Sequence, residues 1–383
     1  MGGGANMLAR AVRTVIATPF TPTLDSGRAR RTYGLVRALA AQGPVDLVYG
    51  AFGAERPDPA YREVDRVRLH RAERPGRLER LRAYLRARRA GVPSDFARGV
   101  WSGLLSATTS LAAERGTRVV AEGPVAAAAL LPLAARRPVV YSAHNPECAV
   151  RHRLEETGQT KKQLDRFERL LLQRFAESWM SRTRRWTAHE RWPPARLRLA
   201  PNVLDVAAIE PLPPRAGART IVFLADFTHE PNRGAVRFLL ERAMPAAWAR
   251  APDLRLTIAG RGSDALAALD GRVMIAGFVE DRRALYGSAG CAAVPLLEGG
   301  GSPLEFVEAL AHGIPVVATA RAAAGLRARP GVEYFEAAAD GESFAAGLLA
   351  ALDPDRGNPV RAAGRRLAER EYSIEALSER LAE

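Results

Sequence analysis

PLLEGGGSPLEFVEALAHGIPVVAT, residues 295–319, leaves one apolar strand, passes through three glycines, opens a helix and enters a second apolar strand. Strand, tight turn, helix and strand in that order form a βαβ unit, and successive units of this kind build a parallel sheet. Gly299, Gly300 and Gly301 stand between the strand and a helix expected from about Ser302. There the free backbone N–H groups and the helix dipole face an anion, and a diphosphate is the natural guest. Ser302 suits the N-cap, and Pro303 suits the first turn, where it forfeits no amide hydrogen bond. Glu305 and Glu308, three positions apart, lie on neighbouring faces near the helix start. A carboxylate beside a phosphate would repel it, so Glu308 is expected to accept hydrogen bonds from something neutral with hydroxyl groups, such as a ribose. A strand-to-helix turn without any ligand satisfies the same pattern.

The grammar repeats on both sides of this unit. Downstream of a Pro- and Gly-rich segment, Pro211 to Gly217, the runs Thr220–Leu224, Leu254–Ala259, Val273–Ala276, Cys291–Pro295 and Pro315–Ala318 read as buried strands separated by helices. Upstream, Val12–Ala17, Val45–Tyr49, Arg118–Ala121 and Pro138–Ser142 read as strands, with a helix over Arg28–Ala41 and another over Lys161–Glu177. The fold class is therefore α/β: two Rossmann-like, doubly wound parallel-sheet domains facing across a cleft, with ligands expected at the carboxyl ends of the strands. The domains are placed at 1–204 and 205–360, with a C-terminal helix over 361–383 packing back towards the first domain. A chain of 383 residues is long enough for two such cores.

Composition narrows the function less. The charge is +14, from 56 basic and 42 acidic side chains, yet lysine occurs only at Lys161 and Lys162. That bias towards arginine is as well explained by codon usage as by a basic binding surface. No basic run is interleaved with aromatic residues, so no nucleic-acid partner is expected. Cys148 and Cys291 match no metal or redox spacing and read as reduced thiols. No apolar run is long enough for a signal peptide or a spanning helix, which points to the cytoplasm, with peripheral contact at the inner membrane face left open. In Arg77–Ala90, Leu78, Leu81 and Leu85 share one face and arginines cover the rest. Such a helix either docks on the core by its leucines or lies on an anionic membrane.

The stretch LEFVEALAHGIPVVAT resembles the donor-site motif of glycosyltransferase family 4, in a bacterial branch where GGGT or GGGS precedes the helix. Phe223–Asn232, Leu254–Gly262, GFVED at Gly277–Asp281 and APNVL at Ala200–Leu204 are similar to further elements of the same domain. Pro19–Arg31 and VVYSAHNPE at Val139–Glu147 are similar to its acceptor side. The resemblance implies the GT-B fold and retaining transfer of a sugar from a nucleotide-diphospho-sugar to a glycan, lipid or other small-molecule acceptor.

It further implies that Glu308 binds the donor ribose and that the amides around Gly300, Gly301, Ser302, Pro303 and Leu304 hold the diphosphate. Phe278 and Val279 would line the base pocket, and Asn232 and Arg261 would contact phosphate. His144, which can also be a structural histidine, would stand near the reacting sugar. Gly27 would let backbone approach the donor, with Arg31 adding positive charge. Asn232 can equally form a turn after Pro231, and Arg261 can be a solvated loop residue.

No cofactor and no metal are expected, since no Asp-x-Asp pair stands at a strand end. The sequence departs from the family pattern at Gly300, where a glutamate is usual, and at Glu305, where the branch usually carries lysine. Those departures leave a degenerate protein without turnover as one alternative. A nucleotide-sugar epimerase is another, although no pair of carboxylates is recognisable beside His144.

Overall fold

The computed structural model describes residues 11–51, 55–144, 160–181, 195–215, 217–266, 270–298 and 303–382. The first sheet comprises β1 (Thr14–Thr18), β2 (Val45–Tyr49), β3 (Val67–Arg71), β4 (Arg118–Glu122), β5 (Val140–Ala143), β6 (Glu177–Met180) and β7 (Leu197–Leu199). Its spatial order is β3-β2-β1-β4-β5-β6-β7, and every pairing is parallel. The second comprises β8 (Thr220–Leu224), β9 (Arg255–Ala259), β10 (Val273–Gly277), β11 (Cys291–Val294), β12 (Val316–Thr319) and β13 (Phe335–Ala337), in the order β10-β9-β8-β11-β12-β13, again parallel.

Both sheets thus reverse their winding once, between β1 and β4 and between β8 and β11. A ligand crevice opens outside the strand ends at such a reversal. The central strands are buried on both faces, as β1 TVIAT and β2 VDLVY show, because helices cover each side of the sheet. Cys291, in central strand β11, is buried, and loss of solvent pushes its thiol up to about 12, so it is an inert core residue.

The helices follow the expected pattern with three differences. The tail is two helices rather than one: Pro354–Tyr372 buries Leu367, Ala368 and Tyr372 in the second-domain core. After Ser373, whose hydroxyl accepts from the Ala376 amide at 3.1 Å, Ile374–Ala382 buries Ile374, Leu377 and Leu381 against Leu35 and Leu39 of the first domain. The chain therefore crosses the domain junction a second time. Near the other end of the first domain, the helix Arg77–Arg89 does not dock by its leucines. Leu78, Leu81 and Leu85 are 73%, 54% and 44% exposed, and the helix is seated by Ala83 and Ala87, whose short side chains let the backbone come close. Finally, the long helix ends at Arg174, and Glu177 already belongs to β6. No helix among the described residues is long and apolar enough to cross a membrane.

Candidate active site

A cavity of about 590 Å³ lies where the two winding reversals face each other. From the first domain come residues just past β1 (Pro19, Phe20), the start of the Gly27–Ala40 helix, Glu122 and Gly123 at the end of β4, and His144 after β5. From the second come Asp226 and Thr228 after β8, Leu296 and Glu298 after β11, and Arg321 after β12. Apolar strands run into polar loops at these ends, so the sheets place the polar side chains while the cores stay dry.

His144 is held on one side by Glu122: His144 Nε2 and Glu122 Oε1 are 2.7 Å apart. Gly123 adopts a φ of +84°, and a Cβ there would lie 3.0 Å from His144 Cε1, so the glycine both permits the turn and makes room for the imidazole. Glu122 is 1% exposed. Burial pushes its pKa up, but the charges of His144 and Arg31 and hydrogen bonds from His144 and Ser142 outweigh burial and hold it below its ordinary value.

Arg31, 5% exposed, donates to the carbonyls of Ala200 and Ala143, to Asn202 Oδ1 and to Ser142 Oγ, and its Nε lies 3.7 Å from Glu122 Oε1. Sequence reasoning named His144 and Arg31 but missed Glu122, and a carboxylate does stand beside His144. The strand RVVAE carried the signal, for a glutamate ending an apolar parallel strand is aimed at the ligand crevice.

On the opposite wall, the Leu304–Ala311 helix brings Pro303, Leu304 and Glu305 to the cavity. Pro303 occupies the N-cap position rather than the first turn. The assignments to Gly300, Gly301 and Ser302 fall outside the described residues. Glu308 lies one turn deeper and off the cavity wall, 3.4 Å from Arg30 Nη1 of the first domain and 3.6 Å from Arg282 Nε. Burial, followed by the neighbouring Glu308 charge, leaves Glu305 with a raised pKa.

The remaining expectations divide. Gly27 lines the cavity and has open space where a Cβ would stand, so the protein's own packing does not demand a glycine there. Asn232 also lines it, but its Nδ2 donates to the Asp226 carbonyl at 2.7 Å, as a turn former does. Arg261 points across the domain junction, donating to the Asp25 carbonyl at 2.8 Å with Asp25 Oδ2 at 3.3 Å. Phe278 is 57% exposed and Val279 packs on the second core, and neither lines the cavity. Phe278 is linked to the site through Arg282, whose guanidinium lies 5.9 Å from its ring. Arg233, next to Asn232, pairs with Glu230 at 3.1 Å. Among the described residues, the arginines that line the cavity are Arg28, Arg31 and Arg321.

Residues 218–353 match the family model for glycosyl transferases group 1. The whole chain also superimposes on solved structures of glycosyltransferase architecture. Sucrose-phosphate synthase from Thermosynechococcus elongatus matches with a TM-score of 0.71 at 17% identity, over 97% of each chain. The chain is a glycosyltransferase of the GT-B fold. HepE from Anabaena, in complex with UDP and glucose, matches with a TM-score of 0.68 at 15% identity, over 97% of this enzyme and 98% of that chain. A TarM variant from S. aureus, in complex with fondaparinux, alpha-GlcNAc-glycerol and UDP, matches with a TM-score of 0.67 at 11% identity, over 97% and 99%. No curated protein matches the enzyme in sequence.

Proposed function

We propose that the enzyme takes a sugar from a nucleotide-diphospho-sugar and passes it, with retention of configuration, to a hydroxyl or amine of a glycan, lipid or other small acceptor. The observation that carries this reading is the cavity shared by two facing winding reversals, large enough for a sugar nucleotide and bordered by basic side chains from both domains. Cleaving the glycosidic bond leaves negative charge on the diphosphate and positive charge on the sugar ring. Arg28 and Arg321 take the place of the missing lysine at Glu305 as counter-charges, together with the amides leading into the Leu304–Ala311 helix. The departing phosphate accepts the acceptor's proton, His144 orients the sugar, and no metal is required.

Glu308 reaches the ribose once donor displaces Arg30 from it. The UDP in the HepE and TarM structures favours a uridine nucleotide here. Burial of Glu122 under His144, Arg31 and Thr32 withholds it from a sugar's ring protons, which favours transfer over epimerisation.

Thermal-shift titration with UDP-, GDP- and dTDP-sugars tests donor binding. One class should raise the melting temperature in proportion to the logarithm of its concentration above Kd, with about 2.7 kcal/mol of stabilisation at a hundred times Kd. A flat response to all three would overturn the reading and leave the degenerate, non-catalytic protein in its place.

The acceptor side includes an anionic surface in this proposal. Three exposed leucines flanked by Arg77, Arg82 and Arg86 suit a membrane rich in acidic lipid. Cosedimentation with phosphatidylglycerol vesicles should fall to the level of neutral vesicles when Leu78, Leu81 and Leu85 are changed to serine, and unchanged binding would remove this partner.

A further inference from the structure

We propose that Glu122 is a positioning residue which, anchored by Arg31, holds His144 in one tautomer and one orientation at the rim of the cavity. The proposal rests on His144 acting at the reacting sugar, and adds how the fold prepares it.

Three strand ends and one helix supply the parts. Glu122 closes β4, His144 follows the neighbouring strand β5, and the parallel register Glu122↔Ser142 puts these ends side by side. Arg31 rises from the Gly27–Ala40 helix and fastens Ser142, Ala143, Ala200 and Asn202, so it ties β5 and the segment after β7 to Glu122. Thr32, one residue on, donates to the same Glu122 oxygen at 3.4 Å. Glu122 Oε1 therefore collects a hydroxyl, an imidazole and, at longer range, a guanidinium. Ser181, beyond β6, donates to the His144 carbonyl at 3.1 Å, so backbone and ring are both pinned.

An ionised carboxylate only accepts, so the nitrogen it contacts must carry a proton. Nε2 is then the N–H nitrogen, and Nδ1 is left to meet a ligand. A buried carboxylate stays charged here because Arg31 and the histidine compensate it, and removing one member would strand a charge in a dry site. Such a device serves a task that transfer demands. The imidazole must stay aligned while the sugar's charge changes, and a group fixed before binding need not reorganise during the reaction. Within its own domain Glu122 on β4 contacts His144 and Arg31 backs Glu122, while Arg28 and Asp95 line the same cavity. Across the cavity stand Asp226, His229, Glu298, Glu305 and Arg321.

Histidine-labelled enzyme without donor provides the first test, with His144 assigned by its loss in His144→Gln. Long-range proton–nitrogen NMR should show the Nε2–H tautomer when the ring is neutral, and the Nδ1–H tautomer would overturn the proposal. This measurement needs no turnover, so it stands or falls independently of the transferase reading. In Glu122→Gln, whose amide can donate as well as accept, the Nε2–H preference of His144 should weaken and an Nδ1–H signal should appear, and an unchanged tautomer would refute the coupling. In transfer assays the same variant should lose about 10- to 100-fold in kcat with donor KM within about three-fold. A loss confined to KM would count against positioning. If Glu122→Gln does not fold, Glu122→Asp keeps the charge one methylene short, and it should retain the wild-type tautomer while lowering kcat. Wild-type kcat in a folded Glu122→Asp would overturn the proposal.

Discussion

The two walls of the cleft are built on opposite plans. In the first domain, His144, Glu122 and Arg31 are bonded to one another and to their own sheet, and Glu122 and Arg31 are almost wholly buried. In the second domain, Glu308 is buried too, yet one of its two arginines, Arg30, comes from across the cleft, at 3.4 Å and 31% exposed. The first wall is complete without a ligand. The second is held together partly by the other domain. Under the proposed function, catalytic geometry is laid down by one domain and donor capture is negotiated between two as donor displaces Arg30, so damage to the walls should separate into turnover and affinity.

The hardest test of that separation is His144→Ala. Transfer should fall by about 10²- to 10⁴-fold, while nucleotide affinity measured by calorimetry stays within about three-fold. Normal turnover would make His144 a structural residue and dissolve the contrast. Next comes Glu308→Ala, which removes a charged hydrogen-bond acceptor from the donor side. Affinity for the preferred nucleotide should drop by about 1.5 to 3 kcal/mol, and unchanged affinity would withdraw the ribose assignment.

Glu305→Gln sharpens the second wall. A carboxyl whose folded pKa is raised binds protons more readily in the native state than in the unfolded chain, so its contribution to stability is lost as pH rises through that folded value. The amide should therefore raise the melting temperature at pH 8, by about a degree or two, with no gain at pH 4. It should also tighten nucleotide binding at pH 8 by removing a negative charge from the cavity. A variant less stable than wild type at both pH values would show that Glu305 is compensated. The smallest effect is expected of Asp25→Asn. It breaks the exposed ion pair to Arg261 but leaves the Asp25 carbonyl as an acceptor, so the change should stay below about 1 kcal/mol and shrink further in high salt.

How much of this was legible beforehand varied by element. β2 and β8 are found to the residue because each is dominated by apolar, largely β-branched side chains buried on both faces, with Asp46 the one charge in β2. β3 was missed. It reads VRLHR, lies at the sheet edge and is nowhere fully buried, so its composition resembles a loop. β13, three residues at the opposite edge of the other sheet, escaped because it is short and buries only Ala337, and β6, ESWM, was missed, its first residue Glu177 being read as the end of the preceding helix. In Arg77–Arg89 the period of the leucines was right, but the face they mark was not the docking face. Periodicity says which side chains share a side of a helix, and the neighbouring surface decides which side it accepts.

The site shows the same limit. His144 was legible as the residue following a clear strand, and Gly27 as a glycine in the loop after the first strand, and the structure brings both to the cavity. Glu122 was not legible, since it lies 22 positions from His144 and nothing local links them. Arg261 was expected at phosphate and instead spans the domain junction, a contact with a residue 236 positions away.

What the sequence by itself determined is the succession of strands and helices, hence two parallel sheets with polar loops at their carboxyl ends. Those features depend on side-chain periods of two and 3.6 and on turn residues, all of which are local. Only the tertiary structure decided which ionisable groups meet. The partners of Glu122, Glu308 and Arg261 follow from strand order and domain apposition, and a buried charge takes its strength from the partner within a few ångströms, however far along the chain that partner lies.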